Sequence, residues 1–304
     1  MARPVRVVSF HRTRHWCSRS SCSRSTEVVA ALPPGITGQV RLCLEEDLGS
    51  GDLTAGLIDA ASVSSVEVIC RQQAVICGRA WFDEVFRQLD PEIVIDWLVA
   101  DGERVVPDTL LCRLHGNTRA LLSGERSALN YLQTLSATAT QARRYADQLA
   151  ASGVRILDTR KTLPGLRMQQ KYAVACGGCD NHRIGLYDAI LIKENHILAA
   201  GSIEEALARA QQIGGGVEIE IEVENLEDLE RALAAGARRV LLDNFSLEQL
   251  RDAVAVNAGR ARLEASGGVS LEGIRAIAET GIDDISVGAL TKDLQAVDLS
   301  MRFV

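Results

Sequence analysis

Residues 218–269 read EIEIEVENLEDLERALAAGARRVLLDNFSLEQLRDAVAVNAGRARLEASGGV, and this stretch alternates between two patterns. Short runs with strand character, at Glu218–Glu222, Arg239–Asp243 and Ala261–Ala265, are separated by longer stretches with helical spacing. Ala235-Gly236 is typical of a helix end, and Ser246-Leu-Glu-Gln249 is a capping box that begins the next helix. This alternation predicts a parallel sheet with right-handed crossovers.

The same alternation covers the chain from about residue 150 onward. Further strand-like runs occur at Arg155–Thr159, Ala189–Lys193 and Asp284–Val287. A second capping box begins at Ser202, and Thr280-Gly281 predicts another helix end. Six strands separated by helices favour an α/β barrel over an open doubly wound sheet.

The segment before residue 150 has a mixed pattern that predicts a small α+β domain. Helical spacing is found at Val40–Asp47, at Trp81–Leu89 and, as one or two helices, at Gly124–Ala150. The strand-like runs of this segment are Ser65–Cys70, Ala74–Cys77, Ile93–Leu98 and Thr109–His115.

Composition favours a cytoplasmic enzyme. The 304 residues are 47% hydrophobic and carry a net charge of −7, which argues against general nucleic-acid binding. No apolar run approaches the ~18–20 residues needed to span a bilayer. The eight cysteines are scattered, a pattern that predicts reduced thiols rather than disulfides. For Cys176-Gly-Gly-Cys179 we predict a glycine-rich loop rather than a metal or redox site.

Residues 1–26 differ from the rest because they contain six arginines and no acidic residue. This composition resembles a transit peptide, but we favour the simpler interpretation of a disordered tail or an upstream start codon.

Each predicted strand is apolar in its middle and has polar residues at its C-terminal end. Parallel-barrel enzymes place their active sites at this end of the strands. Three of the four lysines of the chain, Lys161, Lys171 and Lys193, lie within residues 158–196. Arg160-Lys161 and His182-Arg183 add two pairs of adjacent cationic residues. Such residues are suited to bind a ligand with several negative charges. The chain contains no Walker, GxGxxG, GxSxG or HExxH motif, so the corresponding chemistries are not indicated.

At this point the motifs together match a known family. The chain resembles quinolinate phosphoribosyltransferase over about residues 28–304. The matching stretches are EDLGSGDLT (46–54), GERSALNYLQTLS (124–136), DTRKTLPGLR (158–167), KYAVACGGCDNHRIGLYDAILIKENH (171–196), EIEVEN (220–225), LLDNF (241–245), EASGGV (264–269) and ISVGALT (285–291).

The resemblance implies an α/β fold with an N-terminal α/β sandwich-like domain (27–127) and an incomplete α/β barrel of parallel strands (128–290). Residues 291–304 return to the first domain. It implies a pentosyltransferase that converts quinolinate and phosphoribosyl pyrophosphate, with Mg²⁺, into nicotinate mononucleotide, pyrophosphate and CO₂ for NAD biosynthesis. It also implies a homodimer or larger homo-oligomer with shared active sites. The net charge and the lack of a long apolar run predict neither a nucleic-acid nor a membrane partner.

The resemblance assigns roles to twelve residues. Arg160, His182 and Arg183 bind quinolinate, helped by Lys161 and Lys193, which also contact phosphate. Arg126 comes from the partner subunit. Glu222 and Asp243 hold the ribose hydroxyls and Mg²⁺, and with Lys161 and Lys193 they form the catalytic set. The expected cradle of the 5′-phosphate consists of Ser266, Gly267, Gly268 and Gly288.

Some residues of these motifs have simpler readings. Asp158 is expected to anchor a strand end, and Lys171 to be a surface or ion-pairing residue rather than a ligand contact. His196 is equally compatible with a hydrogen bond to the loop backbone and with a ligand role. Cys179, Asp180 and Lys292 depart from the usual family pattern.

Three alternative functions stay open on the sequence. The first is a paralogous phosphoribosyltransferase of the molybdenum-operon type with another acceptor. The second is a different barrel enzyme that binds a sugar phosphate, and the third is an inactive ligand-binding regulator.

Overall fold

The computed structural model describes residues 31–304, so the predicted tail at 1–26, with Cys17 and Cys22, lies outside the described residues. The first part of this region is built on a four-stranded antiparallel sheet. Its strands are β1 (Val63–Cys70), β3 (Val94–Trp97), β5 (Thr109–Asn117) and β12 (Leu299–Phe303). Their order is β12-β1-β5-β3, so the last strand of the chain pairs with β1.

Two helices and a small ladder complete this part. The helices are α1 (Ile36–Leu48) and α2 (Arg79–Leu89), a short 3₁₀ helix covers Ala55–Leu57, and β2 (Ala74–Val75) pairs with β4 (Arg104–Val105). Trp81, Phe82, Val85 and Phe86 on the apolar face of α2 are buried. On that face the ring of Phe82 lies 5.2 Å from the rings of both Phe86 and Trp97, an aromatic contact that stabilises the core.

A single 31-residue helix, α3 (Thr118–Gln148), connects the two parts of the molecule. It begins six residues earlier than predicted, because the Asn117 side chain caps it by accepting a hydrogen bond from the Ala120 N–H group. Its first half packs into the core beneath the antiparallel sheet, and Ala142 and Tyr145 in its second half belong to the core of the parallel sheet. The predicted domain boundary between residues 127 and 128 therefore lies inside one continuous helix.

The second part contains a six-stranded, entirely parallel sheet. Its strands are β6 (Arg155–Leu157), β7 (Ala189–Ile192), β8 (Glu218–Val223), β9 (Arg239–Asp243), β10 (Arg262–Ser266) and β11 (Asp284–Ser286). The order is β6-β11-β10-β9-β8-β7, so β6 and β7 are edge strands and the barrel is incomplete. All six predicted strands are present, and the predicted fold class is confirmed.

Helices follow the strands of this sheet. They are α4 (Arg167–Cys176), α5 (Glu194–Ala200), α6 (Ile203–Ile213), α7 (Leu226–Ala234), α8 (Leu247–Asn257), α9 (Ile274–Ala278) and α10 (Ala289–Lys292). Ser246 and Gln249 form both hydrogen bonds of the predicted capping box, whereas Ser202 forms one. Gly236 and Gly281 adopt the left-handed φ values of 86° and 95° just past their helices.

Alternation along the central strands separates apolar from polar side chains. Ile221, Val240 and Leu263 belong to the apolar core under the helices. The residues next to them point to the opposite face. That face carries an unusual density of charge, from Glu218, Glu220, Glu222, Arg239, Asp243, Arg262 and Glu264. Among the described residues no helix is long and apolar enough to cross a membrane.

Candidate active site

A cavity of about 430 Å³ lies over the charged face of the parallel sheet. Eight of the twelve predicted site residues line it: Arg160, Lys161, His182, Arg183, Lys193, Glu222, Asp243 and Ser266. Glu264, Ser286, Thr159, Leu191 and Leu241 complete its lining. Another cavity of about 360 Å³, between α1 and α3, is mainly apolar and has no arginine or lysine in its lining, so it does not suit an anion.

Three of the other predicted residues lie beside the cavity. Gly267 and Gly268 follow Ser266 directly, with left-handed φ values of 102° and 56°. A Cβ atom on Gly267 would lie 2.2 Å from Oδ1 of Asn244, so this position requires glycine. A Cβ atom on Gly288 would lie 3.1 Å from Cδ of Lys161, so the lysine stem crosses the Gly288 backbone closely.

Arg126, the twelfth residue, does not line the cavity of its own chain. It lies on α3 with its side chain exposed. The expectation that it enters the site of a partner subunit stays a prediction.

The cationic side of the cavity is formed by the ends of β6 and β7 and by the loop before β7. The Nε atom of Arg160 is buried and has no hydrogen-bond partner among residues 31–304. Burial and the nearby charge of Arg160 lower the pKa of Arg183. The backbone of Lys161 is fixed by Thr159 Oγ1 at 3.0 Å and by the Thr291 hydroxyl, which donates to its carbonyl. Partly buried cations such as Arg160 and Arg183 suit a carboxylate or phosphate ligand.

A buried ion pair holds the loop that carries His182. Lys171, 2% exposed, pairs with the fully buried Asp158 and donates to the His182 carbonyl at 2.9 Å. Asp158 accepts from the His182 N–H group at 2.9 Å and from the Asn181 amide at 2.8 Å. Burial raises the pKa of Asp158 and lowers that of Lys171, because both charges lose hydration. Asp158 thus anchors the strand end as predicted, and Lys171 is the ion-pairing residue that was one of its two predicted interpretations, not a surface residue.

Both ring nitrogens of His182 are engaged within the protein. Nε2 lies 2.8 Å from the Glu220 carboxylate, and Nδ1 accepts a hydrogen bond from the Arg183 N–H group at 2.8 Å. An accepting Nδ1 carries no proton, so this arrangement is that of a neutral imidazole. Burial lowers the pKa of His182 and the Glu220 hydrogen bond raises it, with a net upward shift. In this conformation no ring nitrogen is free to contact quinolinate, the role predicted for His182.

Arg239 organises a buried cluster beneath the cavity that the sequence analysis missed. Its Nε lies 2.9 Å from Glu220, and its Nη2 lies 2.5 Å from Glu264 and 3.2 Å from Asp284. Burial and then the charge of Glu220 raise the pKa of Glu264 to about 7. In the sequence its members are visible only as charged residues within strand-like runs, such as Glu220 and, two residues before Ser266, Glu264.

The same cluster contains a group of potential metal ligands, His182, Glu220 and Glu264, whose ligand atoms lie within 4.8 Å of one another. The guanidinium of Arg239 already binds both carboxylates, so it supplies the positive charge that a cation would bring. We therefore do not assign this group as a metal centre.

Glu222 and Asp243 form the acidic side of the cavity. Glu222 pairs with Lys193, and Asp243 accepts a hydrogen bond from the Asn244 amide at 2.8 Å. In the described part of the chain Asp243 has no salt bridge, so carboxylate oxygens remain available. Oxygen ligands of this type fit Mg²⁺, which prefers one or two carboxylates.

Two minor expectations have simple outcomes. Nδ1 of His196 accepts from the Lys193 N–H group at 3.0 Å, which is the backbone role considered for it. Cys176 and Cys179 are both buried, and the Cys179 thiol donates to the Ala142 carbonyl at 3.2 Å. Cys176 ends α4 and Cys179 lies in the loop that follows, so the predicted glycine-rich loop is the end of a helix and a short loop with two buried thiols.

Comparison with known proteins adds to this geometry. Residues 52–136 match the family model described as the N-terminal domain of quinolinate phosphoribosyl transferase, and residues 138–302 match its C-terminal domain. A probable nicotinate-nucleotide pyrophosphorylase (carboxylating) of Bacillus subtilis is 42% identical over 84% of this chain and 89% of the relative. A quinolinate phosphoribosyltransferase (decarboxylating) of Nicotiana glauca is 33% identical over 94% of this chain and 88% of its own length.

Solved structures give the same result. The nicotinate-nucleotide pyrophosphorylase from Francisella tularensis superposes with a TM-score of 0.88 at 43% identity, covering 92% of this chain and all of that one. A human nicotinic acid phosphoribosyltransferase has a TM-score of 0.62 at 14% identity, a likeness that shows the fold alone.

Proposed function

We propose a function from the premise that this chain belongs to the quinolinate phosphoribosyltransferase family. The protein is a pentosyltransferase of NAD biosynthesis. It transfers the phosphoribosyl group of phosphoribosyl pyrophosphate to quinolinate and releases pyrophosphate and CO₂, which leaves nicotinate mononucleotide.

One observation carries this proposal: a single cavity combines cations suited to a dicarboxylate with an acidic pair suited to a ribose. Arg160, Lys161, Arg183 and Lys193 supply four positive charges around the same space into which Glu222 and Asp243 project. An inactive regulator that bound only carboxylates would gain nothing from the acidic pair.

The chemistry requires positioning and electrostatics rather than a nucleophilic side chain. Lys161 and Lys193 stabilise the departing pyrophosphate, while the carboxylates of Glu222 and Asp243 stabilise positive charge that develops on the ribose. Quinolinate is held by Arg160 and Arg183 with its ring nitrogen toward the ribose C1 atom. After transfer the ring nitrogen is cationic and accepts the electron pair released when the C2 carboxylate leaves as CO₂.

Mg²⁺ belongs to this proposal because the free oxygens of Asp243 and the carboxylate of Glu222 offer the ligands it prefers. When bound, the ion would neutralise charge on the pyrophosphate group. Glu222 and Asp243 would hold it, and Asn244 would keep the carboxylate of Asp243 oriented.

A homodimer or larger homo-oligomer is also part of the proposal, with Arg126 as the residue that one subunit gives to the site of another. The exposure of Arg126 outside its own cavity supports this. A cytoplasmic location is supported by the free thiols of the six described cysteines.

The purified protein should convert quinolinate in the presence of phosphoribosyl pyrophosphate and Mg²⁺, with equal amounts of CO₂ and pyrophosphate released. Nicotinate should not replace quinolinate, because it lacks the C2 carboxylate that Arg160 and Arg183 hold. Turnover of nicotinate with no turnover of quinolinate would reject the proposed function.

Arg160→Ala should remove quinolinate turnover without loss of folded structure. Arg209→Ala is the matched control, since Arg209 is 62% exposed and pairs only with Glu205 on the surface of α6 among the salt bridges of the described chain. Wild-type rates in Arg160→Ala would show that Arg160 does not bind substrate.

A further inference from the structure

Glu264 lies at the inner end of the cavity, and none of the roles above uses it. Its side chain is fully buried yet lines the cavity. Oε2 faces Arg239 at 2.5 Å and His182 at 3.6 Å, whereas Oε1 is buried and has no hydrogen-bond partner within residues 31–304. Because a buried oxygen without a hydrogen bond is unfavourable, such an atom calls for a partner.

We propose that Glu264 is a substrate-contacting residue that takes up a proton when quinolinate binds and donates a hydrogen bond from Oε1 to one of its carboxylates. The proton comes from solvent or buffer and forms the O–H bond of the Glu264 carboxylic acid, while the covalent bonds of quinolinate are unchanged. This inference rests on the proposed function and deepens it, because it makes Glu264 a determinant of dicarboxylate binding.

The charges around Glu264 favour its neutral form. Glu220 and Glu264 share the single guanidinium of Arg239, and two carboxylates that share one cation do not both ionise readily. A bound dianion would add two further negative charges at the same end of the cavity. Charged or titratable groups face Glu264 from each element packed against it. They are Glu220 on β8, Arg239 on β9, Asp284 on β11 and His182 on the loop before β7. Asp284 is itself paired with Arg155 and Arg262.

These charges set the pH range over which Glu264 takes up a proton on quinolinate binding. Burial and the charge of Glu220 raise the pKa of Glu264 to about 7 in the free protein. Below that pH Glu264 is already protonated, so binding needs no proton. Above it Glu264 is ionised, and binding of quinolinate must draw one proton from solvent. The affinity should therefore fall as the pH rises through this value.

Calorimetric titration of the full-length wild-type protein with quinolinate, without phosphoribosyl pyrophosphate, tests the inference. Paired buffers with different protonation enthalpies report the number of protons taken up. We expect uptake to approach about one proton above neutral pH, with the Kd rising about tenfold per pH unit there. No proton uptake by a wild-type protein that turns quinolinate over would overturn this inference and leave the proposed function standing.

Two variants sharpen the test. Glu264→Gln keeps a hydrogen-bond donor but cannot titrate, so proton uptake should vanish and the Kd should vary less than about twofold with pH. Uptake that persists with a shifted midpoint would assign the proton to His182 and overturn the inference.

Glu218→Gln is the matched control, since Glu218 also faces Arg239, at 3.6 Å, but is 61% exposed. It should retain the wild-type uptake. If the wild-type protein neither binds nor converts quinolinate, the inference and the proposed function both fail.

Discussion

The ion pair between Lys171 and Asp158 contributes to the site through the backbone of His182 rather than through contact with a ligand. Lys171→Met would leave the Asp158 carboxylate buried without its cation. We expect this to reduce the free energy of unfolding by about 3–5 kcal/mol, because an unpaired buried charge is strongly unfavourable. Urea denaturation of the variant measures the loss.

An exposed ion pair provides the comparison for Lys171. Arg209→Met breaks the surface pair with Glu205, in which both side chains are about 60% exposed. It should cost less than about 1 kcal/mol, since water screens exposed pairs. Equal losses in the two variants would contradict a special contribution from burial.

Asn244 links two parts of the site and adopts a φ of 58°, a left-handed value that asparagine tolerates better than most residues. Its side chain donates to Asp243 at 2.8 Å, and its N–H group donates to the Ser266 carbonyl at 2.9 Å. Asn244→Gly preserves the backbone conformation and removes only the side-chain amide. We expect kcat/KM for phosphoribosyl pyrophosphate to fall about tenfold, the equivalent of one hydrogen bond of about 1.4 kcal/mol to a charged group.

The affinity for quinolinate separates a local effect of Asn244 from a general one. It should remain unchanged in Asn244→Gly, because Arg160 follows the end of β6 and Arg183 lies on the loop before β7, away from the β9 end that carries Asn244. Asn244→Ala should be less stable than Asn244→Gly by about 1 kcal/mol, since alanine is strained at this φ. An equal loss of affinity for both substrates would show that Asn244 supports the fold in general.

At the scale of elements, the crossing of α3 and the C-terminal end of α4 depends on Gly177. A Cβ atom there would lie 2.4 Å from Cβ of Ala142 and 2.5 Å from the Ala139 carbonyl oxygen. Neither neighbour can move without the helix backbone. Gly177→Ala should therefore destabilise the protein by about 1–3 kcal/mol, as overpacking does.

Gly38 in α1 offers the matched control, because a Cβ atom there would meet nothing within 4 Å. Gly38→Ala should stabilise the protein by about 0.5–1 kcal/mol, since alanine loses less backbone entropy in a helix. Thermal and urea unfolding of both variants should show shifts of opposite sign. Shifts of the same sign would mean that the close approach at Gly177 does not limit stability.

The strands of the parallel sheet could be predicted from the sequence with little error, and the observed β9 has the predicted bounds of Arg239–Asp243. Strands β7 and β9 contain continuous apolar runs, whereas β8 alternates glutamate with apolar residues, and both patterns predict a strand. The start of α3 was placed six residues late, because Asn117 ends a strand and caps a helix at the same time. A local pattern does not reveal such a direct junction.

The candidate site could be predicted only in part, because local sequence shows strand ends but not which distant residues meet in the fold. Strand ends and the family motifs indicated the residues that line the cavity, including Arg160 and Glu222. The Arg239 cluster was missed because its members are distant in sequence and come together only through strand order. For Lys171 the sequence left a surface and an ion-pairing interpretation open, because a lysine in a helix is usually exposed and nothing in the local sequence shows that it pairs with Asp158.

At the scale of the whole molecule, the two sheets do not form independent units. Strand β12 follows the last helix of the parallel sheet and pairs with β1, with register pairs from Val66–Phe303 to Cys70–Leu299. The long helix α3 contributes to both cores. This coupling fixes the position of Arg126, in the first half of α3, relative to the cavity. The exposed Arg126 side chain is therefore displayed by a rigid element, as contact with another subunit would require.

Subunit complementation tests whether Arg126 acts across the interface. Arg126→Ala and Arg160→Ala proteins should each be inactive. If Arg126 serves the neighbouring site, a hybrid dimer of the two has one complete site, because one subunit supplies Arg160 and the other supplies Arg126. Random reassociation of equal amounts should recover about one quarter of the wild-type rate, since half of the dimers are hybrids and half of their sites are complete.

Mixtures of Arg160→Ala and Lys193→Ala are the control, because both residues line the cavity of one chain and no hybrid restores a complete site. Arg126 would be assigned to its own subunit if the first mixture stayed as inactive as this control.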